Sequence, residues 1–212
     1  MLQFSREEVR NLIIAFIVLS ICFAISTVGL DVHGFISCLP IVMVGVAIGG
    51  ILHELGHKFA AMKHGCRAEF ELWPLGMLIA FVTSFFGVVF ASAGSAHIYA
   101  DNISDEIMGK ISIAGPMANM VLALIFIAIA ALVYPLKSHF DIFYLIYLIG
   151  TVGFSVNSFL ATFNLLPVYS LDGTKVMKWN IGIWIVVFVI AGAMMLTSIT
   201  IGAENMVTLL IG

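Results

Sequence analysis

The sequence predicts an all-α polytopic membrane protein with about five transmembrane helices and a strand-like re-entrant segment after the second. Three observations carry this. The chain is 62% hydrophobic and only 10% charged, with a mean hydropathy of +1.15, which leaves too little polar surface to coat a water-soluble globule of 212 residues. Five runs reach the length of about 20 apolar residues that a helix needs to cross a bilayer. One stretch between the second and third runs departs from that pattern.

The first helix is predicted from Asn11 to Leu30, after a polar start with Arg6, Glu7, Glu8 and Arg10. It has no cleavage-site pattern and is long for a signal sequence, so it is read as a retained helix. The second runs from Ile36 to Met62, and Lys58, Lys63, His64 and Arg67 at its end mark a membrane interface. The third spans Met108 to Tyr134, the fourth Ile142 to Leu166 and the fifth Ile181 to Ile201, while Ala203 to Gly212 is too short to cross again. The segment Glu69 to Ala96 opens with polar and apolar residues in alternation. It continues as a run rich in Phe, Val and Thr, broken by Gly76, Gly87 and Gly94, and predicts strands or a re-entrant hairpin rather than a helix.

Basic residues support re-entry. If the segment returns to the side it left, Arg6, Arg10, Lys58, Lys63, Arg67, Lys110, Lys175 and Lys178 share one compartment and only Lys137 faces the other. The positive-inside rule makes that compartment the cytoplasm, in a multi-pass protein of the cell membrane. The net charge of −3 is scattered, with no basic run to bind nucleic acid. Cys22, Cys38 and Cys66 fit neither a disulfide framework nor a CxxC metal site.

The second helix carries His53-Glu54-Leu55-Gly56-His57 near its C-terminal end. Residues four apart share a helix face, so His53 and His57 can present ring nitrogens to one zinc ion, with Glu54 beside the attacking water. An ionised side chain costs about 2.5–3.5 kcal/mol at the bilayer centre, so a glutamate here needs a partner or a purpose, and a metal supplies both. A catalytic zinc takes a third protein ligand and leaves a fourth position open.

Asp31 and Asp141 fall on the opposite face in the re-entrant topology, and Asp101, Asp105 and Glu106 read as a solvated polar loop. Asp172 remains. It follows the run Asn164 to Leu171 and precedes Gly173, and Pro167 is expected to break the fourth helix. An Asp-Gly pair is also a common interfacial turn. Beside the HELGH motif, the ligand reading is the stronger. His33, His64, His97 and His139 lack the helical spacing that pairs with the motif and read as solvated bystanders.

HELGH, followed by Asn164-Leu165-Leu166-Pro167 and Leu171-Asp172-Gly173, resembles the site-2 protease family of intramembrane zinc metalloproteases. The likeness runs from the second helix through Lys178. It includes Gly115-Pro116-Met117-Ala118-Asn119, similar to a Gly-Pro-x-x-Asn-like element of that family, and the strand-rich segment.

The resemblance implies one membrane-embedded metalloprotease domain over residues 1–212, with a core of about 36–178 and no PDZ or CBS module. It implies one zinc per chain on His53, His57 and Asp172, with Glu54 as general base. Asn164 becomes a candidate oxyanion donor, with helix capping or interhelical hydrogen bonding as its other reading, and Asn119 a packing residue behind the ligands. Gly49, Gly50 and Gly56 are expected to admit neighbouring helices. The implied substrate is a membrane-anchored protein cut within or near its transmembrane segment, as in regulated intramembrane proteolysis, with the active site nearer the cytoplasmic face. Strand-like residues after Glu69 could hold an unwound substrate by adding it to a sheet.

Two other readings stay open. Another class of membrane zinc proteases takes a later glutamate as third ligand, for which Glu69, Glu71, Glu106 and Glu204 are the available residues. A non-catalytic zinc-binding or scaffolding protein of the same fold would not need Glu54.

Overall fold

A computed structural model describes residues 4–90, 93–99, 103–168 and 171–211. Helix α1 (Arg6–Val28) begins where the Ser5 hydroxyl accepts the Glu8 amide at 3.0 Å, and Glu7 and Glu8 sit at the positive end of the helix dipole. It stops at Gly29, whose φ of 65° suits glycine. Helix α2 (Val32–Lys63) is capped in the same way, by the Asp31 carboxylate on the His33 amide at 3.1 Å.

There follow β1 (Arg67–Leu72), α3 (Pro74–Ser84), β2 (Gly94–Tyr99), α4 (Asp105–Val133), α5 (Asp141–Asn164), α6 (Asp172–Trp179), α7 (Ile181–Thr200) and α8 (Ala203–Ile211). Among the described residues, five helices, α1, α2, α4, α5 and α7, are long and apolar enough to cross a membrane, which fits a multi-pass membrane protein.

The predicted strand-like segment is strand at its ends and helix in its middle. β1 and β2 pair antiparallel, Arg67 opposite Tyr99 and Leu72 opposite Gly94, so the chain comes back to the end it left. Between them α3 is helical, where composition predicts a strand or hairpin. Pro74 presets the first helical turn, and an apolar run of this length has no periodicity that separates the two states. Ala91 and Ser92 of this segment lie outside the described residues, as do Asp101, Tyr169 and Ser170.

Helices α4 and α5 form the centre, with Phe126 and Ala130 packed among Tyr147 and Phe154. Helix α2 closes on α5 through small residues: a methyl at Gly45 would stand 3.3 Å from the Gly153 Cα. Asp105 and Glu106 open α4 rather than lying in a loop, because Ser104 caps the helix there and Glu106 pairs with Lys110 at 2.5 Å. His64 caps α2, and His97 lies within β2, opposite Glu69. The three cysteines are free thiols.

Lys58, read from the sequence as one of the residues marking a membrane interface, is buried within the protein. Its ammonium is buried, 2.5 Å from the Glu8 carboxylate and 3.9 Å from the centre of the Phe4 ring, while Glu8 also accepts the Phe70 amide at 3.3 Å. One carboxylate thus ties α1 to α2 and β1. Removing one partner of a buried pair leaves an uncompensated charge, a loss of about 3–5 kcal/mol. Glu8→Ala is therefore expected to lower the unfolding temperature in detergent strongly, and a Glu8→Leu, Lys58→Met double variant to recover most of it. Equal melting of Glu8→Ala and the native chain would show that the pair does not hold these elements.

Candidate metal centre

His53 and His57 lie one helical turn apart on α2, both buried, and their rings meet edge to face with centroids 4.6 Å apart. Their Nε2 atoms are 3.0 Å apart. The third side chain arrives from a separate element: α5 ends at Asn164, Pro167 prevents its continuation, and α6 begins at Asp172. The Asp172 Oδ2 atom lies 3.4 Å from His53 Nε2 and 3.2 Å from His57 Nε2.

The partners of the ring Nδ1 atoms fix the tautomers. His57 Nδ1 faces the Ile111 carbonyl at 2.9 Å, which can only accept, so that nitrogen carries the proton. His53 Nδ1 faces Asn119 Oδ1 at 2.6 Å. The Asn119 amide is oriented in turn, because its Nδ2 donates to the Gly49 carbonyl at 3.1 Å and to Asn157 Oδ1 at 2.9 Å. Both Nε2 lone pairs therefore point at each other and at a carboxylate, an arrangement that a cation relieves.

The spacing suits zinc. Bonds of about 2.0–2.1 Å in a tetrahedral site place neighbouring donors about 3.3 Å apart, and the three separations are 3.0, 3.2 and 3.4 Å. Gly115 of α4 forms the facing wall, where a Cβ would come within 2.4 Å of His57 Nε2 and 2.7 Å of His53 Nε2. That space is kept clear by the absence of a side chain. Gly56 lets α2 reach this position, since a methyl there would stand 2.8 Å from the Ala114 carbonyl. Gly49 serves likewise against Asn157, whereas Gly50 has no neighbour and lines an open chamber.

Glu54 and Asn164 line the same cleft as His53, His57 and Asp172, with Gly94, Ser95 and Ala96 of β2 along its edge. Asn164 Nδ2 donates to the Leu160 carbonyl at 2.9 Å, so its amide is turned back onto its own helix. Asn119 and Asn157 hold the ligand helix from behind; the sequence suggested a role for Asn119, but Asn157 carries no motif that would mark it. The glutamates available as alternative third ligands lie elsewhere, Glu69 and Glu71 on β1, Glu106 at the start of α4 and Glu204 at the start of α8.

Groups behind a metal ligand set its tautomer, and replacing them costs about 10–100-fold in affinity. Asn119→Ala is expected to weaken zinc binding by that amount, as measured by competition with a chromogenic chelator. Unchanged affinity would mean that His53 is oriented without it.

Two proteins of known sequence resemble this chain. It is 38% identical over 186 residues to “Putative zinc metalloprotease MJ0611” of Methanocaldococcus jannaschii, a match that covers 87% of this chain and 91% of that protein. It is 24% identical over 163 residues to “Zinc metalloprotease MJ0392” of the same organism, covering 74% of this chain and 39% of that protein. No family model matches the chain, and no solved structure does.

Proposed function

The chain belongs to this family of zinc metalloproteases, and on that premise we propose that it is an intramembrane protease of the site-2 type, hydrolysing peptide bonds within or near the transmembrane segments of membrane-anchored proteins. The convergence of His53, His57 and Asp172 beside Glu54, at one end of a bundle of membrane-length helices, carries this reading. The catalytic unit is the single membrane domain, with residues of about 36–178 as its core. His53, His57 and Asp172 would hold one zinc ion per chain. When bound, it supplies Lewis-acid polarisation of the scissile carbonyl and acidifies the attacking water.

The remaining steps belong to the chain. Glu54 accepts the proton of the attacking water and passes it to the leaving amine. Asn164 is the candidate donor to the developing oxyanion, a role that requires its amide to turn away from Leu160. Ser95 and Ala96 edge the cleft, so an unwound substrate strand can add beside β2 and offer its backbone to Glu54. The bias of basic residues toward this end supports an active site nearer the cytoplasmic face of the cell membrane.

The test is purified, zinc-loaded protein in liposomes with a membrane-spanning peptide, before and after removal of zinc with 1,10-phenanthroline. Cleavage that stops on chelation and returns with zinc is the expected result. Zinc bound at one ion per chain without cleavage of any of several peptides would favour a non-catalytic zinc-binding protein of this fold.

A further inference from the structure

The space between α1 and α5 falls into two sections. Beside the metal side chains is a chamber of about 70 Å³, walled by Leu12, Phe16, Val46 and Leu160 and ending on His53 and Glu54. Toward the opposite end of the helices is a vestibule of about 700 Å³, lined by Ser26, Thr27, Thr151, Ser155, Ser198 and Asn205, whose hydroxyl and amide protons are donated to Phe23, Leu148, Thr151, Ser155 and Ile201, so that their side-chain oxygens face it as acceptors. Phe159 and Val89 belong to the walls of both.

The two sections follow one path. Thr151, Ser155, Phe159 and Phe163 stand four apart and share one face of α5, and on α1 Leu12, Phe16, Leu19, Phe23 and Ser26 repeat at three and four. At about 1.5 Å per residue, Thr151 to Phe163 covers about 18 Å. Phe159 stands at the junction, half-buried, stacked on Phe163 at 5.8 Å and meeting the edge of Phe23 at 5.5 Å. The inner chamber is the smaller of the two, and Phe159 stands between it and the vestibule.

We propose that this groove is the path of a substrate's membrane segment, and that Phe159 is the positioning residue at its narrow point. The inference rests on the protease reading above. The vestibule takes a polar stretch of the segment, because the side-chain oxygens there can accept from N–H or O–H groups that lipid leaves unpaired. The chamber takes the apolar side chains beside the cleaved bond. From Ser155 to Asn164 is about 14 Å, so the polar stretch lies about four residues from that bond if the segment is extended, or about nine if it is helical.

The experiment uses zinc-loaded Glu54→Gln protein in liposomes with a single-span leucine-rich peptide, carrying one asparagine in this interval and diazirine-bearing leucines along its length. Labels mapped to Ser155, Phe159 and Leu160 are expected; labels confined to outward faces such as Ile13 and Ile125 would overturn the groove. With otherwise active protein, Phe159→Ala is expected to raise the ratio of cleavage rates for peptides with Trp rather than Ala beside the bond by at least about 10-fold. Phe159→Trp should lower it, with zinc content unchanged in both, and Phe159→Leu serves if the alanine variant does not fold. A ratio that none of these variants moves would overturn the positioning role. Failure of the native, zinc-loaded chain to cleave at all would defeat the protease reading instead, and the labelling map would then decide the groove by itself.

Discussion

Glutamine in place of Glu54 is expected to lower peptide cleavage by about 10²–10⁴-fold and to leave bound zinc unchanged, as on losing a positioned general base. Glu54 follows His53 directly on α2, so the helix turns it away from the ligand face and onto the walls of both the metal cleft and the neighbouring apolar chamber. Glutamine keeps the side chain's size and its carbonyl but cannot accept a proton at neutral pH. The ligand set is untouched, because the converging atoms belong to His53, His57 and Asp172. Cleavage rate and zinc content measured on the same preparations check this. Equal cleavage by the two forms would remove Glu54 from the mechanism, and loss of zinc with activity would make it a ligand.

Alanine at Asp172 is expected to show the opposite signature, with zinc and activity lost together. Its carboxylate completes a triangle of donors with sides of 3.0, 3.2 and 3.4 Å, and two neutral imidazoles alone bring no negative charge to a buried dication. Altering a group behind a ligand already costs about 10–100-fold in affinity, so loss of the ligand itself is expected to exceed about 100-fold. Glu106→Ala is the matched control. Glu106 pairs with Lys110 at the mouth of α4, and zinc content should stay at the native level. The reverse pattern would return the glutamate-ligand class to consideration.

Much of this was legible in local sequence. The HELGH motif specifies the relative placement of two imidazoles because residues four apart on a helix share a face whatever surrounds them. Asp172 could be reached because Pro167 and Gly173 announce a broken helix, although its distance from α2 could not. Helix α3 was not legible: an apolar run of eleven residues without a polar face looks the same as a strand in composition. Nor was the burial of Lys58, since the carboxylate that pairs with it lies on α1, fifty residues earlier in the chain.

The sequence alone determined the membrane-length spans, their order and the histidine pair, because hydrophobic length and helical repeat are properties of contiguous residues. Tertiary structure decided what depends on the meeting of faces from separate helices. It set the carboxylate of α6 against two nitrogens of α2, kept the wall at Gly115 bare where a Cβ would fill the metal position, and aimed the Asn119 amide by three bonds, to His53, Gly49 and Asn157. Such contacts turn on differences of a few tenths of an ångström between packed helices, and a linear sequence carries no measure of those distances.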